Sequence, residues 1–372
     1  MRLPDQQAEP VSAPSFAEST LNLGSRVGRY FGLVSMLPAL FLVLWSAALA
    51  ASGAWYGPPH PEWIGPRIGG WSLTGVAWIL LASLATGLFL HPLQFAMTQV
   101  LEGYWGYSRA ARVVLGARIR HHRARALRAN DVATRLEARL EAGIEETVAD
   151  IRRVDPAFLA GQTDEQCRAV VLRSAHGNHL GGLLAAADAA AHATERYPDI
   201  DRIMPTRLGN ALRREEDRAG KQYGLDAVLT APHFTLVAPD KHVQYLRDTR
   251  QQMDTSVRLC VVSLLGCLEA VACLLTDGWW LLASLAPYTL AYLAYRAAVA
   301  AADEYTTAVK TVIDLNRFAL YEGLNAERPH DTREERRTNA KLMDLLDGEQ
   351  VHLRYRKPPA AGDSPPTPPK TP

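Results

Sequence analysis

Residues 71–90, "WSLTGVAWILLASLATGLFL", carry no formal charge over a full twenty positions, and this run limits the possible folds more than any other feature. A helix of that length is ~30 Å long, the thickness of the hydrocarbon core of a bilayer. Three more apolar segments accompany it, at 30–55, 259–276 and 279–295. The last two sit near the practical minimum of ~17 residues for a span. Trp55, Tyr56, Trp63, Trp71, Trp279 and Trp280 all fall at one set of segment ends, where interfacial aromatics belong. The first segment also contains "ALA" at 48–50, which resembles a signal-peptidase site. A long polar stretch precedes it and the apolar run is long, so an uncleaved span is expected. The sequence therefore predicts an all-α integral membrane protein with four transmembrane helices in two hairpins.

Arginine sets the orientation. Arg109, Arg112, Arg118, Arg120, Arg123, Arg125 and Arg128 form a basic, lipid-facing flank after the second span, with no acidic residue between 103 and 130. Such clusters stay on the cytoplasmic side, and each charge near an anionic surface contributes about 1 kcal/mol. The Gly- and Pro-rich loop between the first two spans holds one arginine and belongs outside. Both termini and the middle of the chain then face the cytoplasm. Arginine in large excess over lysine, with abundant alanine, is the codon signature of a GC-rich bacterial genome, which places the chain in a bacterial inner membrane.

The expected layout is a cytoplasmic segment at 1–29, a first hairpin at 30–103 and a mostly helical cytoplasmic domain at 104–258. A second hairpin follows at 259–296, then cytoplasmic helices at 297–356 and a disordered Pro-rich tail at 357–372. Within the middle domain, Val132, Leu136, Leu140, Ile144, Val148 and Ile151 form one helical stripe, ended by Asp155-Pro156. "TDEQ" from Thr163 opens the next helix as a capping box, and "HGNHLGG" interrupts it near Gly177. Thr206 caps another helix, closed by Gly224. "LDAVLTAPHFTLVAP" is expected as an edge strand or loop because Pro232 cannot sit in a central strand. Asp240 starts a helix that runs into the third span, and the fourth span continues through Val309, Val312, Leu315 and Leu320.

Three stretches carry a resemblance: "LQFAMTQVLEGYWG" at 93–106, "MPTRLGNALRREEDRAGKQYGLD" at 204–226 and "IDLNRFALYEGL" at 313–324. With them the chain resembles a family of bacterial four-span membrane proteins, two span hairpins around a cytoplasmic helical domain, for which no activity is established. The resemblance implies the architecture and no mechanism. Where the family has a Trp-Pro-Arg type segment, this chain has Ala231-Pro232-His233.

Chemistry is sparse. The four cysteines are Cys167, Cys260, Cys267 and Cys273, with no CxxC pair, so neither a zinc site nor a disulfide framework is indicated. His176 and His179, with Asp188 and His192 farther on and His121-His122 beside the arginines, lack the pattern of a metal site. No phosphate-binding loop or nucleophile elbow is present, so no enzyme, cofactor or metal is expected. A formal net charge of +1 gives no basic field for nucleic acid. Thr206, Arg207, Gly209 and Asn210 form a polar turn at a helix start, a candidate for an anion or a partner; its alternative is a capped start packed on the Tyr223 loop.

The sharpest candidate is Glu269, eight residues from Asp277 inside the third apolar segment. That is ~12 Å of helix, close to the midplane. Ser46, Ser83 and Tyr288 lie at similar depth on the other spans, and none is basic. A protonated Glu269 bonded to one of them acts as glue between helices; rings of Glu269 from several subunits would instead line a path. Glue is the favoured reading. The chain is thus expected to be a non-enzymatic, membrane-anchored interaction or assembly module. Its partners would be the lipid bilayer, further copies of itself and a cytoplasmic protein. The alternative is a homo-oligomeric ion-conducting pore gated by the cytoplasmic domain, resembling bestrophin-type channels in span order only.

Overall fold

A computed structural model describes residues 36–70 and 72–356, and all its named elements are helical. The expectations for 1–29, for the start of the first apolar segment, for Trp71 and for the tail lie outside the described residues. Twelve α-helices follow in order: α1 (Met36–Ser52), α2 (Ile64–Gly69), α3 (Leu73–Leu90), α4 (Gln94–Glu102), α5 (Arg109–Val154) and α6 (Asp164–Arg173). Then come α7 (Gly181–Thr194), α8 (Arg207–Arg218), α9 (Ala227–Val237), α10 (Asp240–Leu274), α11 (Leu285–Gly323) and α12 (Thr332–Leu346). The β structure among the described residues is one isolated bridge, Ala326 with Tyr355. The chain divides into two compact units. One holds the described residues through Met97 with Asp254–Arg296, and the other holds Thr98–Met253 with the described residues from Ala297 onward.

In the first unit two helices, α3 and α10, are long and apolar enough to cross a membrane. Only 11% of the apolar window of α3 is buried, so it is not the core helix of this unit. Trp78, Leu88 and Phe89 present their side chains outward. Helix α1 is apolar but shorter. The fourth apolar segment is not a uniform α-helix: Gly278–Ser284 winds as a 3-10 helix and α11 begins at Leu285. Two local causes explain this. Gly278 takes a left-handed φ of 61° to reverse the chain, and Pro287, lacking an N–H, is best accommodated in the first turn of a helix.

Helix α1 is fastened to α10 by apolar contact and by side-chain hydrogen bonds. Leu49, Ala54, Ala270 and Leu274 form a buried cluster, with Trp45 and Trp280 against it. Trp45 Nε1 donates to the Gly266 carbonyl at 3.0 Å, and a Cβ on Gly266 would meet the Trp45 ring at 3.2 Å. At the other end of this stretch of α10, Gln94 Nε2 donates to the Asp254 carbonyl, and the buried Arg258 donates through Nε to Gln94 Oε1 at 3.0 Å.

A smaller and a larger buried core stand out among the described residues of the second unit. Helix α5, 46 residues long, starts on a Ser108 cap and stops at Asp155. Its apolar stripe is buried only in its second half: Ile144 and Ile151 are inside, whereas Val132 is exposed. Ile151 packs with Leu159, Cys167 and Val171. Thr163 and Gln166 form the capping box that opens α6, and a 3-10 turn at Ala175–Leu180 breaks it from α7. The larger core gathers Leu225, Phe234, Ile313, Leu320, Tyr321 and Leu342.

Two expectations fail here. The segment read as an edge strand or loop is helix α9, with Pro232 inside it. Ala227, Thr230 and Phe234 are buried at helical spacing, and Asp226 Oδ1 caps the Val228 and Leu229 N–H groups. Burying that face and capping the start outweigh the local proline penalty of ~3 kcal/mol. Helix α8 does not reach Gly224 either. It ends at Arg218, and Gly220, at φ 78°, turns the chain into a 3-10 piece that Gly224 closes.

Helix α12 is held by a buried polar chain. Tyr321 Oη donates to Asn339 Oδ1 at 2.5 Å, and Asn339 Nδ2 donates to the Tyr223 carbonyl at 2.8 Å. Arg317 Nε donates to the buried Glu335 at 3.0 Å and its guanidinium lies over the Tyr223 ring. Tyr321→Phe keeps the ring and removes the donor, leaving Asn339 Oδ1 buried and short of a partner. The expected loss is about 1–3 kcal/mol, read as a lower Tm of the detergent-solubilised protein; an unchanged Tm would show that this network does not hold α12.

Candidate functional site

Glu269 sits on α10 one turn from Gly266, where the absent side chain lets α1 approach. Ser46 Oγ donates to Glu269 Oε2 at 2.7 Å. Of the three residues expected at its depth, the structure brings only Ser46 to the carboxyl. Ser83 donates to the Ile79 carbonyl of its own helix, and Tyr288 is more than half exposed. The Ser46 bond and the Trp45 bond lie on adjacent residues of α1 and reach α10 one turn apart. They fix both the register and the rotation of one helix against the other.

The polar turn at 204–210 is built from inward-facing bonds. Thr206 Oγ1 donates to the Glu102 carbonyl at 2.7 Å and accepts from Gly209 N–H at 3.0 Å. Asn210 is buried; its Oδ1 accepts from Met204 N–H, and its Nδ2 donates to the Met204 and Thr206 carbonyls. A Cβ on Gly209 would stand 2.2 Å from the Glu102 oxygen, and one on Gly103 (φ 111°) would stand 2.2 Å from Pro205 Cγ. The turn therefore packs on Glu102-Gly103. Thr206, Gly209 and Asn210 serve that contact, while Arg207 stands at an exposed position.

Glu102 itself went unnoticed in the sequence. Its own burial, and next the Glu216 carboxylate, push its carboxyl up to about 7 against the opposing pull of Arg213 and Arg250. One signal pointed to it: Glu102 is the sole acidic residue between Glu62 and Asp131. A carboxyl that titrates near neutrality can exchange a proton at physiological pH. The groups acting on it are two arginines and a second carboxylate, with no nucleophile among them.

All seven arginines of the basic flank lie exposed on the first twenty residues of α5. Two also hold a neighbouring loop: Arg118 Nε donates to the Pro205 carbonyl at 3.4 Å and Arg123 Nε to the Ile200 carbonyl at 3.2 Å. His179 pairs through Nδ1 with the His176 carbonyl, and His192 pairs with Glu195. Among the described residues no three His, Cys, Asp or Glu side chains gather in a way that would hold a metal ion.

No family model, curated protein or solved structure matches this chain. Two features stand out in the geometry: a carboxyl stapling two apolar helices, and a half-buried carboxyl beside a tightly closed turn.

Each carries a prediction. Glu269→Gln retains a donor and an acceptor for Ser46, so the Tm in detergent should hold. Glu269→Leu removes Ser46's acceptor and should cost ~1–2 kcal/mol; equal Tm values for the two variants would dismiss the staple. For Glu102 the sign follows from its raised value. The folded chain holds this proton more tightly than the unfolded chain, so protonation stabilises the fold. That contribution is complete below about 4.5 and is lost as pH rises through about 7. Tm should fall over this interval, and Glu102→Gln should flatten the fall; an unaltered slope in the variant would assign the effect elsewhere.

Proposed function

We propose that this chain is a multi-pass protein of a bacterial inner membrane that works as a membrane-anchored interaction or assembly module without enzymatic activity. In this reading four apolar segments form two hairpins: α1 with α3, and the apolar part of α10 with Gly278–Ser284 and the start of α11. The observation that carries it is α3, an 18-residue helix of mean hydropathy 2.0 whose surface is almost wholly uncovered. In water such a face is unstable; in lipid it is the ordinary exterior of a span.

The Ser46–Glu269 bond supports the module over the pore. It satisfies the carboxyl inside one chain, as glue between helices does, and needs no second subunit. The arginines from Arg109 to Arg128 support a cytoplasmic position for α5, and with it cytoplasmic termini. The kinship with the two-hairpin bacterial family, resting on the stretches at 93–106, 204–226 and 313–324, belongs to the same proposal. The cytoplasmic partner is a protein, and further copies of the chain are a second possible binding surface.

The test uses a variant lacking the native cysteines, with single cysteines returned at Gly57, Gly69 or Arg125. In intact cells an impermeant maleimide should label the first two positions and not the third, and the protein should resist carbonate extraction. Labelling at Arg125 would overturn the orientation, and extraction would overturn the membrane reading. Step conductances of the purified protein in planar bilayers would replace the module by the pore.

A further inference from the structure

The face of α5 that carries Arg118, His121, His122 and Arg125 follows the helical spacing of three and four, so these residues share one stripe. His122 is the exception in it. The arginines are exposed, but His122 is only 2% exposed, and neither of its ring nitrogens has a hydrogen-bond partner in the protein. The Tyr197 ring lies 6.1 Å away. Arg118 reaches the Pro205 carbonyl, directly before the Thr206 cap of α8, so the stripe meets the first turn of that helix, where Arg207 stands.

A buried imidazole with two unmet nitrogens is costly, because each has lost its water without gaining a partner. Placing it among cations adds to the difficulty. Burial first, then Arg118, His121, Arg125 and Arg207, hold the ring down at about 4, far below an ordinary histidine. Every charged group acting on it is a cation. The ring is therefore neutral at physiological pH, with one N–H to donate and one lone pair to fill. An anion placed there reverses the logic: it neutralises the surrounding field, accepts from the ring and favours its protonation.

We propose that the junction of α5 with the first turn of α8 is a phosphate-binding site, with His122 at its floor and Arg118, Arg125 and Arg207 around its rim. The three rim arginines are themselves exposed to solvent. Donors arriving from two helices suit the several oxygens of a tetrahedral phosphate better than the two coplanar oxygens of a carboxylate. The twelve-residue α8 has its Gly209 N–H already taken by Thr206, and contributes the positive end of its dipole rather than free donors. The phosphate group can belong to a soluble molecule or to an anionic lipid headgroup; the chemistry of the site is the same for both.

The test takes the full chain in detergent and titrates it with inorganic phosphate by calorimetry, in two buffers of different ionisation heat. Saturable binding with uptake of a proton by the protein is expected, because His122 becomes charged when the anion arrives. Arg118→Gln and His122→Phe should each weaken binding about tenfold or more. His122→Phe should leave the phosphate-free Tm equal or higher, since it removes two unpaired polar atoms. Should that variant not fold, Arg118→Gln and the proton count decide alone. In a second arm, nanodiscs of phosphatidylglycerol or phosphatidylcholine, in buffer without inorganic phosphate, carry 15N-histidine-labelled protein. Protonation of His122 in phosphatidylglycerol alone would assign the site to a lipid headgroup, and a response to inorganic phosphate would assign it to a soluble ligand. The proposal is overturned if neither arm responds, if phosphate binds without proton uptake, or if binding persists unchanged in Arg118→Gln.

Discussion

The carbonyl oxygen of Glu102 is the point on which the second unit turns. Thr206 donates to it, and Gly209 lies so close that any side chain there would strike it. The chain leaving α4 is thereby joined to the chain entering α8, more than a hundred residues later. Gly103 and Pro205 complete the approach, each shaped for it: one by a left-handed φ, the other by a ring that fills the space above the glycine. The same turn offers the Pro205 carbonyl to Arg118, so it also sets where the basic face of α5 lies. One close contact organises three helices because hydrogen bonds in a buried turn leave no freedom to slide.

The first unit follows a different rule. In the proposed membrane setting its apolar helices would have little to gain from one another that lipid would not also supply, so polar contacts would decide how they pair. Ser46 with Glu269, Trp45 with the Gly266 carbonyl, and Arg258 with Gln94 each tie residues distant in sequence. The carboxyl that looked like an anomaly in an apolar run is one of these ties. Its partner is a serine on the first helix, and that pairing within a single chain is what inclines the proposed function toward a module.

Much of the secondary structure was legible from local chemistry. Asp155-Pro156 ends α5, Thr163 and Gln166 open α6, and Asp240 begins α10, because each signal acts through its immediate neighbours. Pro232 misled for the complementary reason. Its local preference was outweighed by Phe234 and Thr230, whose burial depends on α11 and α12 being present. The 206–210 turn looked like a ligand site because the sequence does not say which way hydrogen bonds point; the Thr206 and Asn210 side chains face inward.

What the sequence determined by itself was the all-helical class, many of the helix starts and stops, and the uncharged 71–90 run, since periodicity, capping and hydropathy are properties of neighbouring residues. Tertiary structure alone decided that Glu269 meets Ser46 rather than Ser83 or Tyr288. It decided too that Glu102 holds its proton near neutrality and that His122 is shut among arginines with its nitrogens unmet. Burial and field are sums over groups brought together from distant parts of the chain, and a carboxyl or an imidazole acquires its chemistry only once that company is assembled.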